Sequence, residues 1–230
     1  MTPRFDLGAP VDTATDRSLP GPIGTWTIDH AHSGVALTWR RLRLGTVTGR
    51  LHCLGIIHLD DLPPIGVVRF QQPSGLPVLT MALDPASVET GDARLDTRLC
   101  GPDAFDVTRH RWWTLRSESL ELLPTGIWRL TATLTARGTA DLVELRSEAE
   151  ASDHDTLVLR GRGVLDRGAL GLGKPPWTRS PRVRLDLELH ARRVVTHGGT
   201  QQPWLPEPQR GRVKNGATSS WPVVGSSSGS

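Results

Sequence analysis

The chain has 230 residues, of which 22% are charged, 37% hydrophobic and only 5% aromatic. This composition excludes collagen, disulfide-dense mini-domains and simple disorder, and the length suffices for one sizeable core or two small ones. No stretch approaches the roughly 18–20 consecutive apolar residues of a membrane helix. The first 22 residues lack the apolar segment of a secretory signal. We therefore expect a soluble, cytoplasmic protein.

The net charge of +3 resides in the C-terminal tail. Residues 191–230 carry +4, residues 1–22 carry −1, and the segment between them is neutral. A neutral central part has no net attraction for nucleic acid, so no nucleic-acid partner is expected. The basic residues of the tail favour weak peripheral contact with anionic membranes, although a solvated tail without function is the simpler alternative. These residues are Arg192, Arg193, Arg210, Arg212 and Lys214.

Between the two tails, apolar and polar residues alternate with period two, which is typical of half-buried strands. The clearest case is 183–190, where four aliphatic residues alternate with charged or titratable ones. Short strands separated by turn signals predict an antiparallel sandwich or barrel. The predicted strands, in chain order, are Thr25–Ile28, Gly34–Arg40, Val47–Leu59, Val67–Gln71, Val78–Asp84, Trp112–Leu122, Trp128–Leu134, Asp141–Ala149, Leu157–Arg160 and Val183–His190.

The third predicted strand favours a barrel over a flat sandwich. Its 13 residues extend about 43 Å at roughly 3.3 Å per residue. Small residues, Gly49, Cys53 and Gly55, share its inward face, where glycine allows sharp bending or leaves space for a cavity. One interior stretch breaks the alternation: Ala93–Leu99 has weak helical spacing, and Gly101–Asp103 ends it. We predict a short helical crossover near 92–106.

Motifs that carry chemistry are weak throughout the chain. Residues 168–174 match the GxxxxGK of a phosphate-binding loop, but Pro175–Pro176 forbid the helix that must follow, so a glycine-rich turn is expected. No GxSxG nucleophile motif is present in the strand-rich part of the chain, residues 24–191. Cys53 and Cys100 have no CxxC partner, and two free thiols are favoured over a disulfide. We expect no catalytic residue and no cofactor.

Four histidines are candidates for a metal site, and two of them, His30 and His32, would face the same side of a strand. No cysteine or carboxylate completes a recognisable ligand spacing, so structural or surface roles are favoured and no metal is expected. These histidines are His30, His32, His52 and His58.

Five short motifs, taken in order, resemble the YceI-like, or polyisoprenoid-binding, family. They span about residues 24–191, and each resembles the family pattern at the corresponding place. The motifs are Trp26–Asp29 (WTID) with His32–Ser33, Val47–Leu51 (VTGRL), Ala86–Gly91 (ASVETG) leading into Asp103–Val107 (DAFDV), Leu134–Thr139 (LTARGT) and Asp166–Leu172 (DRGALGL).

The helical signature departs from the family pattern. Leu95 replaces an arginine, Arg98 replaces a histidine, and Cys100–Gly101 replace an Arg-Ser pair. Further along, Arg111 stands where relatives place a proline, and Leu115 replaces a phenylalanine. The resemblance implies an all-β, eight-stranded antiparallel lipocalin-like barrel at 24–191. Disordered tails are predicted to flank it at 1–23 and 192–230.

The resemblance also implies a non-catalytic binding or carrier protein that holds a long isoprenoid, such as a polyprenyl quinone or phosphate, inside the barrel. The alternatives are a filled barrel that acts as an interaction or stress scaffold and, less favoured, a barrel enzyme. A homodimer is compatible with each of these functions. The wall is predicted from the inward positions of the strands, namely Trp39, Val47, Leu51, Leu79, Met81, Leu83, Leu115, Leu130, Leu134, Leu185 and Leu187.

Overall fold

The structure, a computed structural model, describes residues 23–40, 45–151, 154–172 and 180–194. Most of these residues lie in strands, and one short helix interrupts them. The two predicted tails lie almost entirely outside the described residues. The elements are β1 (Gly24–Ile28), β2 (Gly34–Arg40), β3 (Thr46–Leu59), β4 (Leu79–Glu89), α1 (Ala93–Cys100), β5 (Trp113–Leu122), β6 (Trp128–Ala136), β7 (Thr139–Ala151), β8 (Thr156–Asp166) and β9 (Arg182–Arg193).

The strands form a closed antiparallel barrel with eight strand positions. Neighbours pair in the order β2-β9-β8-β7-β6-β5-β4-β3, and the pairing of β3 with β2 closes the ring. The first strand is split: β2 pairs with the first half of β3, whereas β1 pairs with its second half, and both also pair with β9. Nine strands therefore occupy eight positions, and the predicted eight-stranded barrel is confirmed.

The helix forms because its ends are well capped and one face is apolar. Asp92 is the N-cap and accepts hydrogen bonds from the backbone N–H groups of Arg94 and Leu95. Leu95 and Leu99 are buried against the barrel. The helix lies in the crossover from β4 to β5, where the sequence predicted it.

One predicted strand is wrong. Val67–Gln71 belongs to an irregular loop over residues 60–78 rather than to the sheet. This loop contacts the sheet next to the predicted strand. Ile65 forms a single bridge with Leu122, and the N–H of Gly66 donates to the carbonyl of Leu122. Prolines at 63, 64, 73 and 77 remove backbone donors that a ladder would need.

Inward glycines let neighbouring strands approach closely and do not leave holes in the wall. A Cβ atom on Gly55 would lie 2.3 Å from the carbonyl oxygen of Thr80, and one on Gly163 would lie 2.7 Å from that of Glu144. The sequence left open bending or empty space at Gly49 and Gly55, and at Gly55 the neighbouring strand occupies the space. Among the described helices, none is long and apolar enough to cross a membrane.

Candidate functional site: the barrel interior

The eleven predicted wall residues all lie on the inward faces of the barrel strands. They come from β2, β3, β4, β5, β6 and β9, and cross-strand pairs such as Leu115 with Leu134 and Met81 with Leu115 place them side by side. Ten are buried, and Val47, at the start of β3, is half-buried and packs against the same core. Strand alternation thus identified the inward face correctly.

Within the barrel, the side chains fill the space between the walls. A cavity large enough for water would leave exposed surface on the side chains that line it, but Leu115, Leu134 and Leu185 are all 0% exposed. At Gly161, an added Cβ would lie 2.9 Å from Ser147 Oγ and 3.1 Å from Leu187 Cδ1. The open cavity that the glycine-rich strand suggested is therefore absent at these positions.

Few polar groups interrupt this interior. Ser117 Oγ accepts a hydrogen bond from the backbone N–H of Leu79 at 3.0 Å, at the register shift of β5. Ser147 Oγ is buried without a hydrogen-bond partner among the described residues. Cys53 is a free thiol whose pKa is raised to about 11 by burial. The second cysteine, Cys100, is also free, as predicted.

One end of the barrel, called here the helix end, is covered by α1 and the crossover residues 101–112. Phe105 lies between two tryptophans from the wall, with ring centroids 6.2 Å from Trp39 and 4.8 Å from Trp113. The second contact is edge-to-face, the preferred geometry of aromatic pairs. Phe105 is thus an aromatic plug in the helix end.

Arg137 ties the crossover to the barrel. Its guanidinium donates to the carbonyls of Ala104 and Gly171, each at 2.9 Å, and to that of Pro102 at 3.2 Å. Asp106, which is buried, lies 4.0 Å from the same guanidinium. The crossover and the turn after β8 are therefore held by one side chain. Sequence reasoning included Arg137 in a family motif but assigned it no role.

The other end of the barrel, called here the loop end, is covered by β1 and the loop 60–78. Trp26 is buried, and the guanidinium carbon of Arg193 lies 4.5 Å from its ring centroid. Arg193 also donates to the carbonyls of Ile23 and His154, and Arg192 lies 3.7 Å from Asp29. The placement of these two arginines in the flexible basic tail was wrong, because β9 continues through Arg193 and uses both.

A polar cluster that the sequence did not reveal fastens the loop to this end. His58 Nδ1 lies 2.7 Å from Thr25 Oγ1, its cross-strand neighbour, and His58 Nε2 lies 2.7 Å from Asp60 Oδ1. Asp60 accepts a hydrogen bond from the N–H of Ser74, and the Gln72 amide donates to the carbonyl of His58. Hydrogen bonds from Ser74 lower the pKa of the Asp60 carboxyl. The cluster anchors the loop; its partners are far apart in sequence, so no local pattern indicated it.

A groove on the described surface lies outside the barrel wall. It has a volume of about 820 Å³ and is lined mainly by outward side chains of β3, β7, β8 and β9 and by the β1–β2 turn. Its charges largely neutralise each other: Arg160 lies 3.3 Å from Glu188, and Arg162 lies 2.9 Å from Asp186. These ion pairs make the groove a charged surface, unlike the apolar interior.

The histidines are distributed over several places. His32 Nδ1 lies 3.0 Å from Asp29 Oδ2, and His58 belongs to the loop cluster. In the described ranges, no group of three or more His, Cys, Asp or Glu side chains is placed to hold a metal ion. Residues 168–172 form a turn beside the helix end, whereas the rest of the GxxxxGK segment lies outside the described part.

Comparison with known proteins returns one family and several solved structures. The YceI-like domain family model matches residues 26–191. BcnA from Burkholderia cenocepacia is 20% identical, with a TM-score of 0.53, over 73% of this chain and 99% of that one. A polyisoprenoid binding domain from Saccharophagus degradans, implicated in plant cell wall breakdown, is 13% identical, with a TM-score of 0.57, over 74% and 98%. The search of curated proteins gave no significant match.

Proposed function

The chain belongs to the YceI-like domain family, and from this premise we propose that it is a non-catalytic binding or carrier protein for a long isoprenoid. The observation that carries the proposal is an apolar wall that continues around a closed barrel, with Leu115, Leu134 and Leu185 among its members. The name of the Saccharophagus degradans neighbour supports the same class of ligand. Each buried methylene contributes about 0.8 kcal/mol, so several five-carbon units supply ample binding free energy.

The filled interior sets a condition on this function. A chain can enter only if side chains of the bore move apart, so the observed affinity is reduced by the fraction of molecules in the open form. Every 1.4 kcal/mol of opening free energy costs about a factor of ten in affinity. A long chain offsets this cost because its apolar surface replaces the packing contacts that are lost. Short apolar ligands should therefore bind poorly.

A chain-length series tests the proposal. Polyprenols of increasing length, titrated against the protein and followed by tryptophan fluorescence, should bind more tightly with each added unit and then reach a plateau when the bore is full. The tryptophans at both ends, Trp26 and Trp113, are buried and suitably placed to report uptake. No binding at any length, or an affinity independent of length, would contradict the proposal.

Two neighbouring substitutions on β6 supply a matched control. Ala132 is fully buried and inward, whereas Thr133 is half-buried and faces outward. Ala132→Phe fills the bore further and should weaken polyprenol binding, while Thr133→Phe should leave it unchanged. Unfolding can be excluded for each variant by circular dichroism before the titration.

The filled interior also favours a second candidate, an interaction scaffold whose working surface is the outside of the barrel. The charged outer groove, which includes Arg160, Glu188 and the β1–β2 turn, is the natural surface for such a role. If the protein is such a scaffold, we expect polyprenols of every length to leave its melting temperature unchanged. An increase that grows with chain length would favour the carrier instead.

Cytoplasmic localisation and membrane contact through the basic tail stay proposals. Arg210, Arg212 and Lys214 lie outside the described residues. Flotation with anionic vesicles at low salt, with and without residues 194–230, tests the contact. Equal flotation of both proteins would discard it.

A further inference from the structure

Large apolar side chains that are exposed to solvent gather at the loop end of the barrel. Seven such side chains occur among the described residues, and five of them lie at this end, each between 41% and 66% exposed. The other two are Leu142 and Val164, on the outward faces of β7 and β8. Single exposed aliphatic residues need no explanation, but a cluster at one end indicates an interaction surface. The five residues are Ile23, Ile65, Val68, Leu76 and Val194.

Two of the five flank β1 at the rim of the barrel. Ile23 directly precedes Gly24, which pairs with Leu59, the last residue of β3 before the loop. Val194 directly follows β9, and its N–H donates to the carbonyl of Thr25 at 2.8 Å. The rim formed by β9, β1 and β3 therefore carries an exposed aliphatic side chain on either side of β1.

The other three belong to the loop that covers this end. Ile65 forms its bridge with Leu122, the last residue of β5, and Val68 lies three residues further along. Leu76 donates its N–H to the hydroxyl of Ser74, which belongs to the polar cluster that fastens the loop. The five side chains thus follow one arc of the rim, from β9 and β1 through the end of β3 to the end of β5.

The size of this apolar surface favours a lipid surface over a protein partner. At roughly 100 Å² for a fully exposed aliphatic side chain, the five together present about 250–300 Å². A stable protein–protein interface buries about 800 Å² on each partner. A bilayer does not require shape complementarity, because each aliphatic side chain can enter the boundary between headgroups and acyl chains separately.

Positive charge accompanies the aliphatic side chains. Arg69 is exposed in the loop next to Val68. The part of the chain that the structure describes ends at Val194, on the same rim, and residues 195–230 carry three basic residues against one acidic residue, a net charge of +2. The acidic residues of the loop, Asp60 and Asp61, lie at its start. Basic groups next to an apolar surface complement the headgroups of anionic lipids.

We propose that the loop end docks on the surface of a phospholipid bilayer that contains anionic lipids. Ile65, Val68 and Leu76 enter the boundary between headgroups and acyl chains, and Arg69 faces the lipid phosphates. The inference deepens the proposed carrier function by naming the surface from which an isoprenoid is loaded, and it rests on that function for this role alone. Docking itself needs no bound isoprenoid, so docking and carriage can be tested separately.

Vesicle flotation of the full chain tests the docking surface. Two vesicle types are used, phosphatidylcholine alone and phosphatidylcholine mixed with phosphatidylglycerol. Ile65→Ser combined with Val68→Ser should weaken binding to both types at least about tenfold, because it removes apolar groups that enter the bilayer. The matched control is Leu142→Ser combined with Val164→Ser, which removes two equally exposed aliphatic side chains elsewhere and should leave binding unchanged. Equal losses in the two double variants, or no loss in either, would overturn the proposal.

Salt and oligomeric state exclude the two competing explanations. At 1 M salt, where the Debye length is about 3 Å, the apolar contribution should persist while the contribution of the basic tail is screened. Complete loss of vesicle binding at this salt would mean that the tail alone makes the contact, and would overturn the docking of the loop. Conversion of a dimer into a monomer by the Ile65→Ser and Val68→Ser pair, measured by sedimentation, would also overturn it, because the surface would then join two copies of the chain.

A substitution that strengthens binding guards against variants that merely fail to fold. Tryptophan favours the membrane interface, so Val68→Trp should bind vesicles more tightly than the unchanged protein, whereas Val164→Trp should not. An equal effect of the two substitutions would count against the loop as the docking surface.

Polyprenol titrations without vesicles separate docking from carriage. The Ile65→Ser and Val68→Ser pair should bind polyprenols as the unchanged protein does. If polyprenols bind but the loop substitutions leave vesicle binding unchanged, docking fails and the carrier function stands. If vesicle binding depends on the loop but no polyprenol binds, docking stands and the carrier function fails.

Discussion

Replacing Arg137 by asparagine should release the crossover from the helix end. Arg137 has φ +51°, in the left-handed region that asparagine tolerates well, so the hairpin between β6 and β7 keeps its backbone. What the substitution removes is the guanidinium that donates to the carbonyls of Pro102, Ala104 and Gly171.

The magnitude follows from these three hydrogen bonds. A hydrogen bond from a charged donor contributes about 1.5–3 kcal/mol. The three hydrogen bonds share one guanidinium, so their contributions do not add, and the Arg137 side chain is 21% exposed, so water lowers each of them. We expect the free energy of unfolding to fall by about 2–4 kcal/mol. For a domain of this size that corresponds to roughly 5–15 °C in the melting temperature.

Amide hydrogen exchange locates the effect. The N–H of Phe105 donates to the carbonyl of Leu99, and that of Val107 donates to Cys100, so both amides report the crossover. In Arg137→Asn they should exchange faster than amides of the β8–β9 ladder, because local opening precedes global unfolding. Arg137→Lys, which keeps the charge but not the planar fork, should be intermediate. Unchanged crossover exchange in Arg137→Asn would refute the role of this side chain.

Three further predictions follow from burial and charge. Hydrogen bonds from Ser74 hold the pKa of Asp60 below its usual value. The stability that the Asp60 carboxylate contributes is therefore present above about pH 4 and is lost as the pH falls through the lowered pKa. In urea titrations at different pH values, Asp60→Asn should reduce this loss of stability at low pH. Cys53, with a pKa of about 11, should react with a thiol reagent at pH 8 far more slowly than Cys100; equal rates would contradict its burial. Leu134→Ala should cost about 2–5 kcal/mol by urea denaturation, whereas outward Thr133→Ala should cost under about 1 kcal/mol; similar losses would mean that the inward face is misassigned.

The alternation of single residues explains why the barrel could be predicted from the sequence. Inward and outward residues differ so sharply in β6 and β9 that the buried face follows directly from period two. The strand predicted at 67–71 was wrong because its apolar residues do not pair in a ladder. Val68, for example, is 66% exposed. Propensity alone cannot tell such a loop from an edge strand, because the difference lies in whether a neighbour supplies hydrogen bonds.

The ends of the barrel were not predictable in the same way. Phe105 reaches Trp39 and Trp113 only because the crossover folds back across the opening, and Arg137 reaches three carbonyls from two distant segments. These contacts join residues that no periodicity links. At Gly49, one of the small inward residues, an added Cβ would lie 3.0 Å from Val88 and 3.1 Å from Trp39, so neighbouring side chains occupy the space. A glycine marks close approach as readily as empty space.

Native mass spectrometry of the full chain, combined with organic extraction of the purified protein, tests the carrier function most directly. We expect a bound species of defined mass that extraction identifies as a long isoprenoid, or its stoichiometric uptake when a polyprenyl phosphate is added to stripped protein. Bound ligand should also raise the melting temperature in proportion to its occupancy. A protein that shows only its own mass, yields no isoprenoid on extraction and takes up none on addition would contradict the account and identify the barrel as a solid scaffold.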